Sequence, residues 1–348
     1  MEARGIPPGP RGDGWERTRL KSLTQSFEAH SPTPAHTEIV VSPAWVKTMI
    51  DRRSPVHRRN QFVVLEASWA RLAEAGDYLA GHIPGARHLD TDEFENGYPR
   101  WLLRQPRELQ RVIGALGIPP ATTVVVYGRQ TIAAARAWWV LKYAGVADVR
   151  FLNGGLAAWR AAGYPVETTI NLPEPVVFEE RVRDEWLATT AYVRTHLNDR
   201  QTRLADVRSL EEYIGASSGY NYINFKGRIP AAIHIDNADD TARLYVGADG
   251  ALRDADEILA LWQRAGLTDD GSEVIFYCGN GWRSSLAFLY ARVLGFKRIR
   301  NYSDGWGGWS TVYTPDPRAD GNTPGWRQRP SANPFLRTCE GYCPGRLA

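Results

Sequence analysis

Val124-Val125-Val126-Tyr127 and Val274-Ile275-Phe276-Tyr277 stand 150 residues apart, and the match spreads outward from them. At the same spacing Gly145 meets Gly295, Gly155 meets Gly305 and Trp159 meets Trp309. Upstream, His82-Ile83-Pro84-Gly85-Ala86 answers Arg228-Ile229-Pro230-Ala231-Ala232, and Val64-Leu65-Glu66-Ala67-Ser68 answers Leu204-Ala205-Asp206-Val207-Arg208. The spacing is shorter there, which puts an insertion in the second copy around Ser217–Lys226. A long internal repeat means one domain present twice. Each copy alternates short β-branched runs (Phe62–Leu65, Val124–Tyr127, Val274–Tyr277) with apolar stretches at helical spacing (Ala133–Tyr143, Ser284–Leu294) that stop at a glycine. Such βα alternation predicts an α/β fold: two tandem domains, each an open, mostly parallel sheet with helices on both faces. The expected domains are 37–170 and 171–315, with a linker near Asn171–Pro175.

The ends read differently. Residues 1–36 and 316–348 are rich in Pro and Gly and lack periodicity, so both are expected to be irregular tails. No apolar signal-peptide core and no membrane span is seen, and a cytoplasmic location is expected. The 42 Lys plus Arg against 39 Asp plus Glu leave a net charge of +3, too small for a nucleic-acid footprint. Three cysteines, Cys278, Cys339 and Cys343, are too few for a disulfide framework over 348 residues. Seven scattered histidines show no metal spacing, and no cofactor is called for.

In open α/β sheets ligands bind beyond the carboxyl ends of the strands. That rule selects the turn Cys278-Gly279-Asn280-Gly281-Trp282-Arg283, which leaves the strand ending at Tyr277 and enters the helix opened by Ser284-Ser285. Gly279 and Gly281 are expected to take positive φ and turn their N–H groups into an anion cradle. The helix start contributes about half a positive charge. Arg283 contributes a full one. Together they favour a thiolate, the form in which cysteine attacks. The first copy reads Tyr127-Gly128-Arg129 at this place and carries no sulfur. Only the second domain can do thiol chemistry.

These residues resemble the tandem rhodanese family of sulfurtransferases. The resemblance rests on Leu65-Glu66-Ala67-Ser68-Trp69, Gly81-His82-Ile83-Pro84-Gly85-Ala86, Phe151-Leu152-Asn153-Gly154-Gly155 with Trp159, Asp206-Val207-Arg208 and the Cys278–Arg283 loop. It implies an inactive first domain, an active second one, and sulfur transfer in two steps. Cys278 takes the outer sulfur of thiosulfate, releases sulfite and becomes a persulfide, which passes its sulfur to cyanide, a thiol or a sulfur-carrier protein. Gly279, Asn280, Gly281, Trp282, Arg283 and Arg228 are the expected substrate-binding residues, with Arg283 nearest in sequence to the leaving sulfite. Two other readings stay open: 3-mercaptopyruvate as donor, or a non-catalytic, persulfide-carrying module that binds a partner.

The family pattern departs at several points. Cationic residues often follow the cysteine, where this chain has neutral Gly279 and Asn280. A donor-binding arginine is common at the position of Glu212, and Arg228 could compensate for it or simply pack its stem on the surface. Asp206 and Arg208 are read as a structural ion pair, His82 as a core histidine, and Trp138, Trp139, Trp159, Trp306 and Trp309 as packing residues. Trp282 is read as a pocket wall or partner contact. Cys339 and Cys343 have no assigned task. Phosphatases and arsenate reductases of the same architecture use Cys-x5-Arg, and the shorter Cys-x4-Arg spacing here argues against them.

Overall fold

The computed structural model describes residues 39–52, 62–98, 100–235, 243–315 and 326–328. Both predicted tails, and with them Cys339 and Cys343, lie almost wholly outside this set.

Each half of the chain builds a five-stranded parallel sheet. The first half runs β1 (Val40–Val41), α1 (Pro43–Asp51), β2 (Phe62–Ser68), α2 (Gly76–Ala80), β3 (Ala86–Asp90), α3 (Pro106–Ala115), β4 (Thr123–Tyr127), α4 (Thr131–Tyr143), β5 (Asp148–Leu152) and α5 (Gly155–Ala161). The second half runs β6 (Leu187–Ala188), α6 (Thr190–His196), β7 (Thr202–Asp206), α7 (Leu210–Tyr213), β8 (Ile233–His234), α8 (Ala255–Arg264), β9 (Glu273–Tyr277), α9 (Trp282–Val293), β10 (Ile299–Tyr302) and α10 (Gly305–Val312). The strand orders are β1-β5-β4-β2-β3 and β6-β10-β9-β7-β8, the same path twice. In register, Leu65 faces Val126 across β2 and β4, as Ala205 faces Phe276 across β7 and β9. Apart from the half-buried Thr123 the central strands are buried, which is why their middles read as continuous apolar runs.

Helices α4 and α9 follow the two central strands and pack on one another, with Trp138 and Trp139 each about 6.5 Å, ring to ring, from Phe288. Each is covered by its own sheet on one side and by its twin on the other. A helix in that position is apolar all round, and α4 accordingly reads Ile-Ala-Ala-Ala-Arg-Ala-Trp-Trp-Val-Leu from residue 132. Of its two charges, Lys142 lies in the last turn and Arg136, mid-helix, is fully buried. The guanidinium meets Glu95 Oε1 at 2.7 and 3.0 Å, then crosses to the second domain to donate to Ser303 Oγ at 2.9 Å and to the Gly281 carbonyl at 3.4 Å. Burial pushes the Glu95 carboxyl up, against the opposing pull of Arg136. The tryptophans read as packing residues (Trp138, Trp139, Trp159, Trp306, Trp309) are all buried.

Leu286 occupies in α9 the place that Arg136 holds in α4, so a leucine fits the twin position. Arg136→Leu strands Glu95 without its cation and is expected to cost about 3–5 kcal/mol of unfolding free energy. Adding Glu95→Leu should restore most of that loss, and urea denaturation of the single and double variants measures both.

Candidate active site

Cys278 directly follows β9 and has no exposed surface. The first turn of α10 holds the loop from behind: Trp306 N–H donates to the Cys278 carbonyl at 2.7 Å and Gly307 N–H to that of Gly279 at 2.9 Å. With those carbonyls tied back, the N–H groups of Asn280 and Ser284 serve the sulfur. Ser284 Oγ lies 3.7 Å from Sγ and 2.7 Å from Asn301 Oδ1. Asn301 is oriented by its amide, which donates to the Gly281 carbonyl and to Ser285 Oγ. Burial raises the thiol pKa, and the Arg283 charge with the Ser284 and Asn280 donors outweighs it, so the Cys278 pKa falls below the ordinary thiol value.

One of the two glycine expectations needs correcting. Gly281 does adopt positive φ, at 89°, and a Cβ there would stand 2.7 Å from the Ser303 carbonyl and 2.8 Å from Arg136 Nη1. Gly279 is not in the positive-φ region. It is small because the Tyr220 ring lies where a Cβ would go. Arg283, read from the sequence as the cation nearest the leaving sulfite, is engaged: Nη1 and Nη2 grip the two Glu212 oxygens at 2.8 Å each, and Nη2 meets Tyr220 Oη at 2.6 Å. The family's donor-binding position thus holds an acid that neutralises the loop's arginine.

The inserted segment Ser217–Lys226 supplies what the sequence reading missed. Tyr220 Oη accepts the Gly279 N–H at 3.2 Å, and Tyr222 Oη accepts the Asn280 side-chain amide at 3.0 Å. The two rings lie 5.3 Å apart over the loop. Burial first, and then the nearby Cys278 charge, push both phenol pKa values up, so they stay neutral. The segment is tied down where Trp306 Nε1 donates to the Phe225 carbonyl at 2.8 Å and Arg208 to that of Gly227 at 2.8 Å. Asp206 and Arg208 do form a buried ion pair at 2.7 Å, and Asp206 also takes the Tyr277 hydroxyl.

Trp282 is buried and packs on Trp69 of the first domain, ring centroids 5.2 Å apart, so it closes the domain interface beside the loop. Arg228 is not brought to the loop. Its exposed guanidinium lies over the Tyr213 ring at 4.5 Å. His82 is buried with both ring nitrogens near carbonyls, those of Tyr78 and Thr169, and has the core role expected of it. No cluster of metal-ligating side chains occurs among the described residues. In the first domain Gly128 replaces the cysteine, and a Cβ there would sit 2.5 Å from the Ala67 carbonyl.

The pattern of the rhodanese-like domain matches residues 42–162 and again 189–311. The chain belongs to the tandem-domain rhodanese family of sulfurtransferases. One relative of this rhodanese is the thiosulfate sulfurtransferase YnjE of Escherichia coli, 35% identical over 283 residues, covering 79% of this chain and 64% of YnjE. Another is the sulfur carrier protein TtuD of Thermus thermophilus, 33% identical over 288 residues, covering 80% of this chain and 95% of TtuD. Among solved structures, a persulfide-bearing EanB variant in a tetrahedral intermediate state with ergothioneine superposes with a TM-score of 0.73 at 33% identity, covering 80% of this chain and 69% of that one.

The thiolate fraction rises as pH climbs through the thiol pKa, so a lowered pKa moves the acidic limb of reactivity to lower pH. The limb should lie below that of an ordinary thiol. Ser284→Ala removes one of the sulfur's donors and should shift that limb upward, read from the pH dependence of the thiolate absorbance of the two proteins.

Proposed function

We propose that the protein moves sulfane sulfur from thiosulfate through a persulfide on Cys278 to a thiophilic acceptor. The observation that carries this reading is the environment of Cys278: a buried thiol at a strand end, with its pKa lowered by a guanidinium and three loop donors. The thiolate attacks the outer sulfur of thiosulfate, the sulfur–sulfur bond breaks, and sulfite leaves with the bonding pair. Backbone N–H groups that served the thiolate then serve the terminal sulfur of the persulfide, where the charge now sits. Cyanide, a thiol or a sulfur-carrier protein attacks that terminal sulfur and regenerates the thiolate. Tyr220 and Tyr222 cover the loop, so the Ser217–Lys226 segment swings aside to admit donor and acceptor.

One observation favours a second donor. The Glu212–Arg283 pair leaves the loop without an uncompensated cation for a dianion, which suits the monoanion 3-mercaptopyruvate better. There the carbon–sulfur bond breaks and the pair goes to carbon as an enolate, for which a neutral tyrosine is a ready proton source. The two readings share Cys278 and differ in donor.

Cys278→Ser should abolish sulfite release from thiosulfate and pyruvate release from 3-mercaptopyruvate. The wild-type protein incubated with its donor should gain about 32 Da, one sulfur, on Cys278. If the mass stays unchanged with both donors, the persulfide route is wrong. Glu212→Gln frees Arg283 and should raise kcat/KM for thiosulfate about tenfold, the value of one charge-assisted contact, while that for 3-mercaptopyruvate changes less. A wild-type preference for 3-mercaptopyruvate in the same assay selects the second donor.

A further inference from the structure

The first domain keeps the position of the active loop but does not cover it. In the second domain Tyr220 and Tyr222 fill the space above Cys278–Arg283. The first domain has no such insertion, and the space beyond Gly128, at the head of α4, is an open cavity of about 330 Å³. That lies in the lower part of the range of about 300–1,000 Å³ typical of small-molecule sites. Glu66, Asp77, Arg129, Thr131 and Arg160 line it, and Gly250 of the second domain forms part of the rim.

Glu66 makes this more than a leftover. It holds in β2 the place that Asp206 holds in β7. Asp206 is saturated by Arg208 and by the Tyr277 hydroxyl. Glu66 is 3% exposed and accepts the Tyr127 hydroxyl on Oε2 at 2.6 Å, but Ser68 stands where Arg208 does. Among the described residues no cation touches Glu66; burial raises its pKa, and the Tyr127 hydroxyl, His82 and Arg160 pull the other way. The ionised carboxyl is costly there, and it is relieved either by a proton or by a ligand cation brought against it. Across the cavity the head of α4 has no side-chain cap, so its first N–H groups face the lining at Gly128–Thr131. Arg160, exposed, adds a cation to the lining, its Nη2 3.5 Å from the Gly81 carbonyl. Arg129 and Asp77 pair with each other at 2.6 Å at the exposed mouth and largely cancel.

We infer that this cavity binds a small zwitterion of amino-acid size, its cationic group against Glu66 and its carboxylate against the head of α4 and Arg160. The two charges of such a molecule match two separated and opposite features of one cavity. A simple anion would leave Glu66 unpaired, and a simple cation would leave the N–H groups and Arg160 unused.

The test uses the full chain carrying Cys278→Ser, so that no thiol chemistry contributes, and isothermal titration with L-serine, L-leucine, L-histidine, ethylammonium and propionate. At least one amino acid should bind about tenfold or more tightly than ethylammonium and propionate. Glu66→Gln should weaken that binding about tenfold or more. Ala157→Trp, placed on an exposed lining residue, should block it while leaving the thermal midpoint unchanged. Propionate binding as tightly as any amino acid makes this an anion site and overturns the inference. Binding that survives Ala157→Trp places the ligand elsewhere and overturns it equally. So does a folded protein that binds none of the three amino acids.

Discussion

Arg136 is the group on which the geometry of the active loop depends. It sits on a helix of the domain that has no cysteine, yet its guanidinium reaches the Gly281 carbonyl and Ser303, the two sides of the turn behind Cys278. A buried guanidinium needs an anion, and Glu95 of the same domain supplies it. The loop is therefore held by a charge pair belonging to the other copy. This gives the domain without the cysteine a physical task. It forms the back wall of the site through Arg136 and Glu95, and a side wall through Trp69 against Trp282.

Around the sulfur, the balance is between desolvation and a few short-range donors. A thiolate in a fully buried position is costly, and the offset comes from Arg283, two backbone N–H groups and the Ser284 hydroxyl. That hydroxyl has one proton and two neighbours, Sγ at 3.7 Å and Asn301 Oδ1 at 2.7 Å. In the thiol form it can give its proton to Asn301; a thiolate or persulfide competes for it. Glu212 moderates the field by neutralising Arg283. The loop thus stabilises a monoanionic sulfur without presenting a large free positive charge to solvent.

Comparing the copies shows how little separates a reactive loop from a bare one. Strand order, central register and helix placement are the same. Apart from the inserted Ser217–Lys226 segment, the differences around the loop are at single positions: Gly128 for Cys278, Ala133 for Arg283, Ala134 for Ser284, Phe151 for Asn301, and Ser68 for Arg208. Each removes one polar contribution to the sulfur site or its support. A Cβ at Gly128 would stand 2.5 Å from the Ala67 carbonyl, so the first loop has no room for a side chain there.

Much of this was legible in the chain. The repeat of β-branched runs and glycine stops is a local pattern, and local pattern suffices to specify parallel strands and the helices that cover them. Cys278 was legible because its strand–turn–helix context is contiguous, and the insertion because it breaks the spacing of the repeat. The sequence could not tell what a side chain meets across the fold. That Glu212 claims Arg283 across 71 residues, that Tyr220 rather than φ demands Gly279, that Arg228 turns away onto Tyr213, and that Arg136 reaches the other domain's loop are all long-range pairings. Sequence periodicity encodes which face of an element is buried. Which buried groups meet is set only when two sheets and their helices pack, because partner choice depends on distances that no local pattern contains.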